Sequence, residues 1–127
     1  MIDHLSIQVA DLTASAAFYE AVLEPLGYRR LVQRPGTVGL GKRYPEIWLN
    51  HRPGAAPAPA NTGHHVCLRA KSQEAVAAFH AAALTHGGSD DGPPGPRQAA
   101  MTGYFAAFIK DLDGNRLEAA TFPPPEA

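Results

Sequence analysis

His4, His65 and Glu118 are the residues of this 127-residue chain whose types and placement suit the holding of a metal. Two imidazoles and a carboxylate on rigid strands, with other positions left open, suit a divalent transition metal that keeps sites for water or substrate. Such an ion can polarise a substrate oxygen. Each residue also has a plainer reading. A strand histidine is often exposed or hydrogen-bonded, and a glutamate just beyond an Asp-Gly turn is often solvated. Their parallel placement argues for the joint reading.

That placement comes from an internal repeat, sought before any other pattern. His4, Phe18, Leu23 and Gly27 recur 61 residues later as His65, Phe79, Leu84 and Gly88, and four alanines (14, 16, 17 and 21) recur at 75, 77, 78 and 82. The chain therefore reads as two copies of one unit, each opening with a histidine-bearing strand and continuing with a helix that a glycine closes. Glu118 lies on the last strand of the second unit. Its counterpart 70 residues earlier is Trp48, with Glu46 close enough for a small register shift to exchange them.

The elements follow from periodicity and punctuation. Residues 2–10 alternate, with Ile2, Leu5, Ile7 and Val9 apolar and His4, Ser6 and Gln8 on the opposite face. Asp11 or Thr13 caps a helix with Ala14, Ala17, Phe18, Ala21 and Val22 as its inward stripe, ended by Pro25 and Gly27. Strands are expected at 28–33, 37–41 and 46–51. A Pro/Ala-rich linker occupies 52–63. The second unit opens at His65, where His65, Cys67 and Arg69 share a face, and Ser72 caps a helix carrying Val76, Phe79 and Ala83. The Gly/Pro-dense run 89–97 reads as a loop leading to a short strand near 98–101. Residues 104–122 read as a hairpin about a tight Asp-Gly turn, and 123–127 as a tail. The chain is thus a single α+β domain: module one at about 1–52, linker 53–62, module two 63–122.

Composition narrows the function classes. At 45% hydrophobic the chain can bury a real core, and a net charge of -1 with a pI near 6.6 makes no case for nucleic acid or an anionic membrane. No segment approaches the roughly 20 apolar residues of a membrane span. The opening strand without a basic or apolar leader, and the lone Cys67, fit a cytoplasmic protein. Cys67 reads as a core or cavity-wall residue.

The stretches MIDHLSIQVADL, GHHVCLRA and DLDGNRLEAA resemble the vicinal oxygen chelate superfamily: glyoxalase I, extradiol dioxygenases, fosfomycin-resistance enzymes and bleomycin-resistance proteins. The last stretch is similar to the family's D-P-D-G-N-x-x-E ending, with Leu112 where proline is usual. The resemblance implies two βαβββ modules forming a cupped mixed sheet around a metal, commonly as a homodimer, and it carries His4, His65 and Glu118 over as ligands. The metal would be iron, manganese, nickel, cobalt or zinc. Glyoxalase I adds a fourth ligand where Trp48 stands, and Trp48 reads instead as the wall of a substrate pocket. Extradiol dioxygenases place a tyrosine where Phe108 stands. The expectation is a metal-dependent lyase, isomerase or dioxygenase with Glu118 at its catalytic centre. Beside it stands a metal-free protein that sequesters a small molecule, as bleomycin-resistance members do.

Further pocket residues follow from strand parity and the Gly/Pro run. Gln8 and Arg69 share a face with the histidines. Arg97 can meet an anionic group through its planar fork, and Tyr104 can donate a proton or a hydrogen bond. A solvated loop charge and an edge aromatic are the plainer readings of these last two.

Overall fold

The computed structural model describes residues 1–60, 62–98 and 103–123. In module one, β1 (Leu5–Val9) leads into helix α1 (Leu12–Leu23), a short 3₁₀ turn (Glu24–Leu26), β2 (Arg29–Arg34), β3 (Thr37–Gly41) and β4 (Pro45–His51). Module two repeats this as β5 (Val66–Arg69), α2 (Gln73–Thr85), β6 (Ser89–Pro96), β7 (Phe105–Lys110) and β8 (Arg116–Thr121). The sheets run β1-β4-β3-β2 and β5-β8-β7-β6, each with one parallel pair and otherwise antiparallel pairs. This is the expected α+β pairing of βαβββ modules. The ladder does not continue from β1 to β5, so the cup has two four-stranded halves.

Side-chain accounting explains the boundaries. Asp11 accepts the amide of Ala14 to start α1, and Ser72 accepts that of Ala75 to start α2. Gly27, at φ 90°, takes the left-handed turn that leads out of module one's helix. One core gathers Ile7 and Val9, the inner faces of both helices, and Ile109, Leu117 and Ala119.

Three expectations are corrected. The buried residues of α1 are Ser15, Ala16, Phe18, Tyr19, Val22 and Leu23, so the stripe is rotated from the alanines at 14 and 17, and Ser15 and Tyr19 are interior. The Gly/Pro run 89–96 is strand β6 rather than a loop. It pairs irregularly with β7, its register shifting on either side of Gly92, and such breaks let an edge strand tolerate Pro93, Pro94 and Pro96. The short strand expected near 98–101 lies mostly outside the described residues, as do 124–127 of the tail.

The hairpin turn is also longer than two residues, because Lys110 pairs with Arg116 and residues 111–115 form the loop. Asp111 organises it. Its Oδ1 accepts the amides of Asp113 (2.9 Å) and Asn115 (2.8 Å), and its Oδ2 accepts Asn115 Nδ2 (2.9 Å) and the buried Tyr19 hydroxyl (2.5 Å). Tyr19 belongs to module one and Asp111 to module two. The Ala10 amide donates to Asp113 across the same seam. Burial raises the Asp111 carboxyl pKa against the opposing pull of these donors. No helix among the described residues is long and apolar enough to cross a membrane.

Candidate functional site

Each sheet packs one face on the helices and the shared core, and the candidate site residues stand on the opposite parity of the strands. In module two that parity carries Tyr104, Ala106 and Phe108 from β7 and its approach, and Glu118, Ala120 and Phe122 from β8 and its exit. The register sets Phe108 opposite Glu118 and Ala106 opposite Ala120. Glu118 is only 4% exposed. A carboxylate so buried must be hydrogen-bonded, and both its oxygens are. Oε1 lies 2.9 Å from His65 Nε2, and Oε2 accepts the Tyr104 hydroxyl at 2.6 Å. Tyr104 and Glu118 are two strand pairs apart. They meet because the intervening pair, Ala106 and Ala120, is small.

Burial, together with the neighbouring Glu118, raises the Tyr104 hydroxyl pKa, so this phenol keeps its proton at neutral pH. Its oxygen is also 3.7 Å from Cys67 Sγ, and burial raises the Cys67 thiol as well. Cys67 is exposed and lines a cavity, as a wall residue should. Rings extend the cluster both ways. Phe122 stacks on Tyr104 at 5.9 Å between centroids, with the Arg69 guanidinium 4.3 Å from the Phe122 centroid. Phe108 meets the His65 ring edge-on at 5.9 Å, with Arg97 5.6 Å from the Phe108 centroid.

The structure therefore brings together His65, Glu118, Tyr104, Arg69 and Arg97. It does not bring His4 to Glu118. His4 precedes β1, is about half exposed, and has Nδ1 2.7 Å from Asp3. It shares with His65 a cavity of about 340 Å³ between the starts of β1 and β5, lined also by Tyr28, Glu46 and Cys67. Among the described residues no group of three or more His, Cys, Asp or Glu is arranged to hold a metal. Gln8 lines a neighbouring cleft of about 380 Å³ together with His65, Asn115 and Arg116.

The ladders settle the counterpart of Glu118. Ser6 pairs with Trp48 as Cys67 pairs with Glu118, so Trp48 is equivalent to the carboxylate. Glu46 stands one pleat away, its Oε2 3.3 Å from the Tyr28 hydroxyl, whose pKa burial and this carboxylate raise to about 12. Trp48 lies flat on Gly39, where a Cβ would come within 2.9 Å of the ring, and Arg34 sits 5.9 Å from the ring centroid. Sequence reasoning missed Phe122 and Arg34. The parity 118-120-122 was available for the first, and the shared position of Arg34 and Arg97 just at the ends of β2 and β6 for the second.

Comparison with known proteins places this arrangement. A crystal structure of a glyoxalase/bleomycin resistance protein from Albidiferax ferrireducens is 30% identical, with a TM-score of 0.82 over 93% of this chain and 96% of that one. A glyoxalase-related enzyme from Fulvimarina pelagi (19% identity, TM-score 0.70, 100% and 93% covered) shows the same fold. So does a glyoxalase/bleomycin resistance protein/dioxygenase family enzyme from Burkholderia phytofirmans (16%, 0.69, 96% and 98%). No curated protein matches. The model of one family matches residues 1–119, nearly the whole of both modules. With the paired βαβββ architecture, this means that the chain belongs to the glyoxalase/bleomycin resistance protein/dioxygenase superfamily.

Proposed function

We propose that the protein is a metal-dependent enzyme acting on a small molecule that presents two neighbouring oxygens, with its chemistry centred on Glu118. The observation that carries this reading is the buried Glu118 carboxylate held between His65 and Tyr104.

The donors fit a divalent ion in part. His65 Nε2 and Glu118 Oε1, 2.9 Å apart, would be two of the donors. His4 is the third donor in this reading, exchanging Asp3 for the ion. Trp48 removes the fourth. When bound, the ion polarises a substrate oxygen and stabilises negative charge developing there. The chain's own residues do the rest. Tyr104 steadies the second oxygen of Glu118 and, protonated at neutral pH, donates rather than accepts. Arg69 and Arg97 supply positive charge at the two ends of the face.

Open sheet edges and exposed polar faces, Ser6, Gln8 and Cys67 among them, favour a homodimer whose second copy covers them. A second reading, a metal-free binder of a small molecule, draws on His4, which is about half exposed and pairs with Asp3 rather than joining His65 and Glu118. Metal analysis of tag-free protein, beside His65→Ala and Glu118→Ala, separates the two. Near-stoichiometric metal that both variants lose supports the enzyme. Protein that cannot be loaded with iron, manganese, nickel, cobalt or zinc overturns it in favour of the binder.

A further inference from the structure

The segment GPPGPR, residues 92–97, is unusual for a strand, and its peculiarities converge on one side chain. Arg97 Nη2 donates to the Pro93 carbonyl (2.5 Å) and Nη1 to the Pro96 carbonyl (3.1 Å). The glycines make the room. A Cβ at Gly95 would come within 3.2 Å of Nη1, and one at Gly92 within 3.4 Å of Nη2 and 3.0 Å of the Phe108 ring. The backbone amide of Arg97 is fixed in turn by the Tyr104 carbonyl at 2.9 Å. The guanidinium is thus seated against the Phe108 ring and not left to wander as a surface arginine would.

Its charge has no close ion-pair partner: among the described residues no carboxylate lies within ion-pair distance of Arg97. Asp90, the carboxyl that feels Arg97 at longer range, is held low mainly by His80 Nε2 (2.8 Å) and the Gly92 amide (3.0 Å), with the Arg97 charge a smaller contributor. The two carbonyls take two of the five guanidinium N–H groups and leave three, enough for a bidentate anion. Beside the seat lie the partly exposed rings of Phe108, Tyr104 and Phe122. A dianion would meet the Glu118 charge, whereas a single negative group placed at Arg97 need not.

We infer that Arg97 is the specificity-determining anchor of this face, and that the ligand is a flat aromatic monocarboxylate with its carboxylate on Arg97 and its ring along Phe108. This deepens the proposed function and rests on the Glu118 face being the ligand site. It does not require the metal.

The test is calorimetric titration with benzoate, with benzamide as the neutral isostere and cyclohexanecarboxylate as the non-flat acid, on chelator-treated and metal-loaded protein. Benzoate should bind at least about tenfold more tightly than either control. Arg97→Ala should abolish that preference, and Arg97→Lys should restore only part of it, since lysine lacks the fork. Gly95→Ala, which crowds the seat without touching Glu118, should weaken benzoate while the melting temperature holds. Equal binding of benzoate and benzamide, a preference that survives Arg97→Ala, or no benzoate binding at 10-millimolar concentrations (about a hundredth of the 1 M standard state) overturns the inference. Protein that holds no metal yet selects benzoate through Arg97 sinks the enzyme reading alone. Stoichiometric metal without that selectivity sinks only this one.

Discussion

The polar faces of the two modules occupy the same frame and do different things. In module one an aromatic ring, Trp48, stands on the fourth strand and glycine, Gly39, on the third. In module two the pair is inverted: Glu118 stands on the fourth strand and the ring, Phe108, on the third. An arginine approaches the ring in both, Arg34 at 5.9 Å and Arg97 at 5.6 Å. Repetition of backbone thus fixes where side chains stand and leaves their chemistry free. Trp48 is satisfied by contact alone. Glu118 is not, because a buried carboxylate needs donors: His65 and Tyr104 meet it beside the small Ala106–Ala120 pair, whereas His65's counterpart in module one, His4, turns to Asp3 instead.

The comparison breaks most severely if the modules separate. Asp111→Ala leaves the buried Tyr19 hydroxyl without its acceptor and strips the 111–115 loop of its organiser, at a cost of about 3 kcal/mol or more in urea unfolding. A loss under about 1 kcal/mol would mean that the common core, and not this seam, joins the modules. The same carboxyl has a pH signature. Its folded pKa is raised, so the native state holds the proton to higher pH than the unfolded chain. Its contribution to stability is therefore fullest below the ordinary carboxylate range and declines as pH rises through the raised value. Asp111→Asn should flatten that part of the stability–pH curve.

Within module two, Ala120→Leu should cost about 1–3 kcal/mol by overpacking and push Tyr104 away from Glu118. Spectrophotometric titration should then show one tyrosine returning toward the usual range. In module one, Gly39→Ala drives a methyl into the Trp48 ring, for about 1–2 kcal/mol. Because Trp48 is the sole tryptophan, its emission reports the displacement directly. Unchanged emission would show that the ring does not depend on Gly39. The smallest effect belongs to His4→Ala, expected within about 0.5 kcal/mol in a thermal melt because the side chain is exposed. A larger loss would tie module one's histidine into the fold as module two's is.

Much of this was legible in the residues themselves. The 61-residue repeat, the cap at Ser72, the choice of Asp11 or Thr13 for the first helix and the alternation of β1 and β5 are local patterns, and they pointed to two modules and to a face shared by His65, Cys67 and Arg69. The superfamily followed from the same stretches. What failed was local too, but overruled from a distance. Proline and glycine in 92–96 signal a loop, yet the segment is a strand because β7 offers an edge on which register breaks are tolerated. Tyr104 read as a hydrogen-bond donor or an edge aromatic, and only pairing across the Ala106–Ala120 step carries its hydroxyl to Glu118. Ser15 and Tyr19 lay outside the expected apolar stripe, and the buried Tyr19 hydroxyl finds its acceptor only in Asp111 from the other module. The sequence determined which side chains each strand presents, because that is a parity of two. Which of them meet was decided by strand register and module packing, because a hydrogen bond needs its partners within about 3 Å.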